Sequence, residues 1–131
     1  CNNKLYGSLT LFSQMYTNPQ LAFLIPNNCF YPKPSISSAV VYFLTKKVLP
    51  LAQDNCLPLQ KFIRSAFEQR RKTLRSSLKA YICPASMTEA LVTLRLHTNA
   101  RPENLTFSQF MELFLLLQSK KLTNSFFDSR P

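Results

Sequence analysis

The stretch LQKFIRSAFEQRRKTLRSSLKAY, residues 59–81, decides how the second half of this chain folds. Its apolar side chains recur every three, four or seven residues, the spacing of one helical face. They are Leu59, Phe62, Ile63, Ala66, Phe67, Leu74, Leu78 and Tyr81. The opposite face carries Lys61, Arg64, Arg71, Lys72, Arg75 and Lys79. We therefore predict one helix, or two helices that meet near Gln69, with a core face and a cationic face.

The cationic face has two interpretations, solvated surface or a docking surface for a polyanion. Glu68 is the only acid on it, and a dense row of like charges repels itself unless an anionic partner offsets it. The whole chain of 131 residues carries a formal net charge of +10. Pattern and charge together favour nucleic acid as the partner.

Arg70 departs from this pattern, because it projects with the apolar stripe. One interpretation is that it lies along the edge of the core and extends its charged head to water. The other is that it holds a phosphate or a carboxylate near a seam between domains. The sequence leaves both open.

Several classes of site find no support in the composition. No apolar run approaches the roughly 20 residues of a membrane-spanning helix, and no signal-peptide pattern is present. The four cysteines form no C-x-x-C pair, which argues against zinc and favours a reducing, cytosolic setting. His97 is the only histidine, and we expect a structural role for it. A single glycine, Gly7, excludes a glycine-rich phosphate loop within these residues.

The first half predicts a helix over 5–16 and then two strands. The residues that would share the apolar face of this helix are Leu5, Leu9, Phe12 and Tyr16. The apolar run 21–25 predicts one strand, and AVVYFL at 39–44 predicts a second that is buried on both faces. A lone pair of strands is unstable, so this half needs a larger sheet to join. Because the chain starts at Cys1, we expect a fragment or a processed product.

The second half predicts a small helical unit. Residues 46–58 look like a linker, since they hold prolines and few periodic positions. Ser86 is the expected N-cap of a helix that runs to about Leu94, and residues 99–104 suit a turn. Thr106 and Gln109 predict the capped start of a last helix from Phe107 to about Ser119, and the final ten residues suit a frayed tail.

Phe30 is the one candidate for direct contact with a reacting group. It heads the segment Phe30–Ser38, in which two prolines one residue apart hold the backbone extended. Its ring is either a core aromatic behind the strand or a stacking platform for an unpaired base. Composition alone favours the core aromatic.

Four motifs in this order resemble the C-terminal half of the KsgA-type rRNA adenine dimethyltransferases. They are Tyr6-Gly7-Ser8-Leu9 with Gln14; Phe30-x-Pro32-x-Pro34-x-Ile36-x-Ser38-Ala39-Val40; Ala66-Phe67-Glu68-Gln69-Arg70-Arg71-Lys72-Thr73-Leu74-Arg75-x-Ser77-Leu78; and Arg101-x-Glu103-Asn104-Leu105. The resemblance covers residues 4–117. The second and third motifs together make it specific.

The resemblance implies a mixed fold, with the terminal strands of a Rossmann-like methyltransferase α/β domain followed by a small all-α domain. Residues 1–49 would end the methyltransferase domain, 50–58 would link, and 59–131 would dock on rRNA. The family methylates N6 of two adjacent adenosines in the 3′-terminal hairpin of small-subunit rRNA, using S-adenosylmethionine. A cytoplasmic monomer that acts on the 30S subunit, without a membrane, is expected.

The resemblance also implies roles for individual residues. Phe30 would stack on the flipped target adenine, which reverses the inference from composition. Pro32, Pro34 and Ser38 would support its position. The predicted phosphate contacts are Arg64, Arg70, Arg71, Lys72, Arg75 and Lys79, and they would supply affinity rather than sequence reading.

The chain departs from the family pattern at two places. Ser35-Ile36-Ser37 stands where the family usually has Lys-Val-Asp, which puts a charged contact there in doubt. The family's glycine-rich cofactor loop, acidic ribose ligand and Asn-Leu-Pro-Tyr motif are absent from these residues. We therefore expect the chain alone to bind no S-adenosylmethionine and to be inactive. A non-catalytic RNA-binding, transcription or ribosome-assembly factor of the same fold is the alternative, because mitochondrial transcription factors resemble this family, and a plain basic helical domain is a third.

Overall fold

A helical unit and a two-stranded antiparallel ribbon make up the part of the chain that the computed structural model describes, residues 5–120. The elements in chain order are α1 (Ser8–Tyr16), β1 (Thr17–Ile25), β2 (Ser38–Thr45), α2 (Gln53–Phe67), α3 (Leu74–Ser77), α4 (Pro84–Thr93) and α5 (Phe107–Ser119). Short 3₁₀ turns occupy Asn27–Cys29 and Pro102–Asn104. The expected order of helix, strands and helices is therefore present.

The two strands form a hairpin in which Thr17 faces Thr45 and Ile25 faces Ser38. The register shifts between Leu21 and Phe23, so one extra residue forms a bulge there. Both predicted strands exist and are longer than expected. The prediction that β2 is buried on both faces is wrong for this chain, because Phe43 is 54% exposed and no second layer covers the ribbon within the described residues.

The core lies between the helices. Phe62 of α2 packs against Phe110 and Phe114 of α5, with ring centroids 6.3 and 5.7 Å apart. The other fully buried large side chains are Leu11, Met15, Leu59, Ile63, Leu74, Leu78, Met87, Leu91 and Leu105. Since Leu11 and Met15 belong to α1, the first half contributes directly to this core. A unit as small as the helical half can bury only a modest core by itself.

The helix α2 begins at Gln53, inside the predicted linker, so the expectation of an irregular segment up to residue 58 is wrong. Pro58 lacks the N–H of a regular helical bond, but its ring is buried with Cys56 in the core. Asp54 in the first turn favours the helix start through the dipole. Gln118 of α5 also donates to the Asn55 side chain at 3.1 Å, a tertiary contact that no local pattern reveals.

Residues 68–73 break the stretch that defines the second half, so two helices form rather than one. Six consecutive polar or charged residues leave nothing to bury between Phe67 and Leu74. Thr73 then caps α3 by accepting a bond from the Ser76 amide at 3.4 Å. The Leu74 amide donates to the Ala100 carbonyl at 2.9 Å, which fixes α3 against the turn before the last helix.

Two other helix predictions need correction. In α1 the buried residues are Leu11 and Met15, whereas Leu5 and Leu9, assigned to the apolar face, are 88% and 78% exposed. Residues 5–7 precede the helix. In α4 the N-cap is Cys83 and not Ser86, because Pro84 takes the first helical position, where its fixed φ suits a helix start.

The predicted cap of α5 is confirmed. Thr106 accepts from the Gln109 amide at 3.3 Å, and the Gln109 side chain accepts from the Thr106 amide at 2.9 Å. Lys120 ends the helix and forms an ion pair with Glu89 at 2.7 Å. The expected frayed tail lies outside the described residues.

Replacing Thr106 by alanine should lower the free energy of unfolding by about 1 kcal/mol, since it removes the acceptor for an otherwise unpaired helix N–H. Ser108→Ala is the matched control, because Ser108 is the second residue of the same helix and its side chain is exposed. Urea unfolding followed by circular dichroism checks both variants. Equal stability of the two variants would show that the cap contributes nothing.

Candidate nucleic-acid interface

The six predicted cations occupy the end of α2, the loop after it, α3 and the turn that follows α3. We call Arg64, Arg70, Arg71, Lys72, Arg75 and Lys79 the cationic surface. Five of them are exposed, and Arg75 is half-buried. The break between α2 and α3 places three of these cations on one short loop, so the surface is a bend rather than the straight ridge that a single helix would give.

That loop encloses a concavity of about 420 Å³, lined by Glu68, Gln69, Arg70, Arg71 and Lys72. A tight turn shapes it, in which the Lys72 amide donates to the Gln69 carbonyl at 2.8 Å. The Ser77 hydroxyl donates to the same carbonyl at 3.5 Å. The structure thus brings three of the predicted cations together around a space that could accept an anionic group.

The cationic surface is poorly neutralised by the protein itself. Within residues 5–120 the structure shows an ion pair between Lys120 and Glu89. None of Arg64, Arg71 or Lys72 pairs with an acid of that range. Cations that stay unpaired and exposed remain available to an anionic partner.

Arg64 and Arg75 lie apart from this concavity. Arg64 borders a second, smaller hollow of about 170 Å³ together with Leu57, Gln60 and Lys61. The Arg75 guanidinium donates to the Thr88 hydroxyl of α4 at 3.5 Å, so it also joins two helices. The cationic surface is therefore spread over several sites, as contact with a long polyanion would require.

Arg70 lies at the seam between the segment before α1 and the end of α2. Its guanidinium donates to the Tyr6 carbonyl and stands 5.8 Å from the centre of the Phe67 ring. This location fits both interpretations in part, because Arg70 is exposed at the edge of the core, over Phe67, and also lies near a seam. Its partners here are a backbone carbonyl and an aromatic face, and its contact with RNA remains a prediction.

Phe30 lies on a different segment, between β1 and β2. Its amide donates to the Asn27 carbonyl at 3.4 Å and closes the first 3₁₀ turn. This bond fixes the backbone position from which the Phe30 side chain projects. The ring is 41% exposed, so within the described residues it is not a buried core aromatic. The following Tyr31–Pro32 peptide is cis, Pro34 is half-buried, and Ser38 opens β2 opposite Ile25.

The remaining candidate groups fit structural roles. The His97 ring accepts a bond from the Asn99 amide at 3.1 Å, within the turn that follows α4. Burial raises the pKa of the Cys56 thiol, whose sulfur donates to the Ala52 carbonyl at 3.6 Å. In the described part of the chain, no three metal-binding side chains cluster. No helix there has the length and apolar character to cross a membrane.

The contacts that Tyr6 makes in this region could not be predicted from the sequence. Its hydroxyl donates to the Leu105 carbonyl at 2.9 Å, 99 residues away along the chain. Burial raises the pKa of this phenol above its ordinary value. Its ring also packs on Phe67 at 6.3 Å between centroids. Tyr6 precedes the helix and belongs to no apolar stripe, so periodicity gave no signal for it.

Comparison with known proteins agrees with this description. The family model for ribosomal RNA adenine dimethylase matches residues 1–119. The "Ribosomal RNA small subunit methyltransferase A" of Chlamydia caviae is 39% identical over 116 residues, which cover 88% of this chain and 42% of that protein. The protein of the same name from Protochlamydia amoebophila is 38% identical over 116 residues, covering 88% and 40%. The chain therefore spans about 40% of the length of these curated relatives.

Two solved structures share the fold. The 23S rRNA methyltransferase ErmE superposes with a TM-score of 0.69 at 16% identity, over 86% of this chain and 46% of that one. A dimethyladenosine transferase from Plasmodium falciparum gives 0.68 at 19% identity, over 90% and 51%. At such identities the likeness establishes the fold alone, whereas the match to the family model extends over nearly the whole sequence. The chain belongs to the ribosomal RNA adenine dimethylase family.

Proposed function

We propose that this chain is the C-terminal part of an rRNA adenine dimethyltransferase. The complete protein would transfer methyl groups from S-adenosylmethionine to N6 of two adjacent adenosines in the 3′-terminal hairpin of small-subunit rRNA. The observation that carries this proposal is the loop 68–72 around a concavity, in a chain of this family. Its exposed cations Arg71 and Lys72 have no acidic partner in the described residues.

The cationic surface would bind rRNA through its phosphates. Each Lys or Arg that contacts a phosphate displaces condensed counterions, so affinity comes largely from these contacts and falls with salt. Phosphate contacts fix register and orientation and carry no sequence information. Choice of the adenosines would then depend on how this surface presents the hairpin to the target-base pocket.

Phe30 would form one wall of that pocket. Chemistry at N6 needs the adenine out of its stack, and a ring that packs on the extruded base offsets part of the unstacking cost. Its partial exposure and its fixed position after the 3₁₀ turn support this role. Pro32, Pro34 and Ser38 would hold the segment that follows.

The residues of this chain do not suit a cofactor site. Gly7, the only glycine of the chain, is the N-cap of α1, whereas a dinucleotide-type loop uses several glycines. We propose that S-adenosylmethionine binds elsewhere in the complete protein and that this chain alone is inactive. The complete protein would act as a cytoplasmic monomer on the 30S subunit.

The hairpin would complete the sheet of the methyltransferase domain. Leu21, Val41 and Phe43 lie on one face of the hairpin and are each more than 40% exposed, an apolar surface that needs a cover. Phe43→Asp should therefore lower the free energy of unfolding by about 2 kcal/mol or more in the complete protein, because it would bury a charge.

The same substitution should change the stability of the isolated chain, residues 1–131, by less than about 0.5 kcal/mol, since surface changes cost little. Tyr31→Asp, at a fully exposed residue, is the control in both proteins. Chemical denaturation measures the difference. If Phe43→Asp does not change the stability of the complete protein, the rest of the methyltransferase domain does not cover this face of the hairpin.

A non-catalytic RNA-binding, transcription or assembly factor is the second candidate, since the cationic surface needs no chemistry to work. Incubation of the complete protein with tritiated S-adenosylmethionine and unmethylated 30S subunits separates the two. We expect label in the small-subunit rRNA. Binding of the subunits without any label would favour the non-catalytic factor.

A further inference from the structure

Arg70, Tyr6 and Phe67 form a connected cluster that joins the start of the described chain to the helical unit. The Arg70 guanidinium donates to the Tyr6 carbonyl and stands over the Phe67 ring, and the Tyr6 ring packs on the same Phe67. The Tyr6 hydroxyl reaches the Leu105 carbonyl just before α5. Three parts of the chain that are distant in sequence thus meet at Tyr6.

The segment held by this cluster leads directly into α1. The Gly7 carbonyl accepts from the amides of Thr10 and Leu11, so it forms the first turn of that helix. A side chain on Gly7 would have its Cβ 3.5 Å from the Arg70 guanidinium, in ordinary contact. The helix α1 in turn runs into β1, and β1 leads to Phe30.

We propose that Arg70 is a positioning residue, which clasps α1 and the hairpin to the helical unit and so sets Phe30 relative to the cations Arg71 and Lys72. A planar guanidinium suits this task, because it can stack on Phe67 while it donates in its own plane to the Tyr6 carbonyl. The neighbouring Arg71 and Lys72 are exposed, and under the proposed function they would bind the anion. Arg70 would then belong to the cationic surface by position only and would not be one of its phosphate ligands.

This inference rests on the proposed function for its rRNA-affinity and activity measurements. Hydrogen exchange of the segment 5–11 in the full-length protein tests the clasp without any reaction. Arg70→Ala should raise exchange at the Thr10 and Leu11 amides at least about threefold, the size expected for losing an exposed cation–π contact alone. Loss of the hydrogen bond from the guanidinium would add to this increase. Arg71→Ala is the matched control and should leave this exchange unchanged.

The second measurement is the dependence of rRNA affinity on salt. A phosphate ligand contributes about 0.7 to 0.9 to the slope of log affinity against log salt. Arg71→Ala should reduce the magnitude of this slope by about 0.7 to 0.9. Arg70→Ala should leave the slope unchanged. At saturating rRNA, Arg70→Ala should slow methyl transfer about tenfold, because the target base and the reacting groups are misplaced.

Arg70→Lys retains the charge and serves if the alanine variant does not fold. A phosphate ligand tolerates this change, but a stacked, planar clasp does not, so we expect faster exchange at residues 5–11 in the lysine variant as well. Wild-type exchange in both Arg70 variants, or a salt slope reduced by Arg70→Ala as much as by Arg71→Ala, would overturn the proposal. Loss of activity in every protein, with the exchange result intact, would reject the proposed function and leave the clasp standing.

Discussion

Phe30→Ala should lower methyl transfer by the complete protein about 10- to 100-fold, while its affinity for the 30S subunit stays within about twofold. Stacking of a base on an aromatic ring contributes about 1–3 kcal/mol by alanine substitution. The ring would stabilise the extruded adenine, which exists only after docking, so its loss affects the chemical step more than binding. Single-turnover transfer of tritiated methyl groups and filter binding measure the two quantities separately.

Tyr31→Ala is the control for this prediction, because Tyr31 is the adjacent aromatic residue and is fully exposed. It should retain transfer within about threefold, the scatter of ordinary surface substitutions. Phe30→Leu should recover only part of the rate, since it restores bulk but no π-face. Transfer by Phe30→Ala near the wild-type rate would show that the ring does not contact the target base.

Arg71→Glu combined with Lys72→Glu should weaken rRNA binding about 100-fold at 0.1 M salt and lower the salt slope by about two. Both side chains border the concavity after α2, and neither pairs with an acid in the described residues. Reversal replaces two attractive contacts with two repulsive ones. Affinity measured at several salt concentrations gives the slope.

Arg95→Glu with Arg101→Glu makes the same change of net charge at two exposed residues outside the cationic surface. This control should lose much less affinity and keep its slope near the wild-type value, because only long-range attraction is reduced. If both double variants weaken binding equally, net charge rather than the loop after α2 determines affinity. That result would remove the cationic surface from the interface.

The sequence predicted those features whose causes are local. The capping box of Thr106 and Gln109, the two strands and the apolar face of α2 were predictable, because side chains a few residues apart determine them. The four motifs likewise identified the family from residues alone, as the family model then confirmed.

Features that depend on distant contacts could not be predicted in this way. The start of α2 at Gln53 is supported by the contact between Asn55 and Gln118, and the break after Phe67 by the bond from Leu74 to Ala100. The sequence of β2 is apolar throughout, and yet most of its side chains are exposed in this chain. An apolar strand indicates that both of its faces will be covered, but it does not identify the part of the protein that covers them. Arg70 was assigned to rRNA phosphates with its neighbours, but only the fold reveals its contact with Tyr6.

The central claim is that methylation of small-subunit rRNA needs both Phe30 and the cationic surface. Mass spectrometry of that rRNA tests this claim most directly. The rRNA would come from cells that lack the protein and from the same cells given the wild-type, Phe30→Ala or Arg71→Glu/Lys72→Glu gene. We predict two adjacent dimethyladenosines in the 3′-terminal hairpin with the wild-type gene, and their loss with either variant. Unmodified adenosines in cells that contain the wild-type protein would contradict the account, and would leave a protein that binds RNA without modifying it.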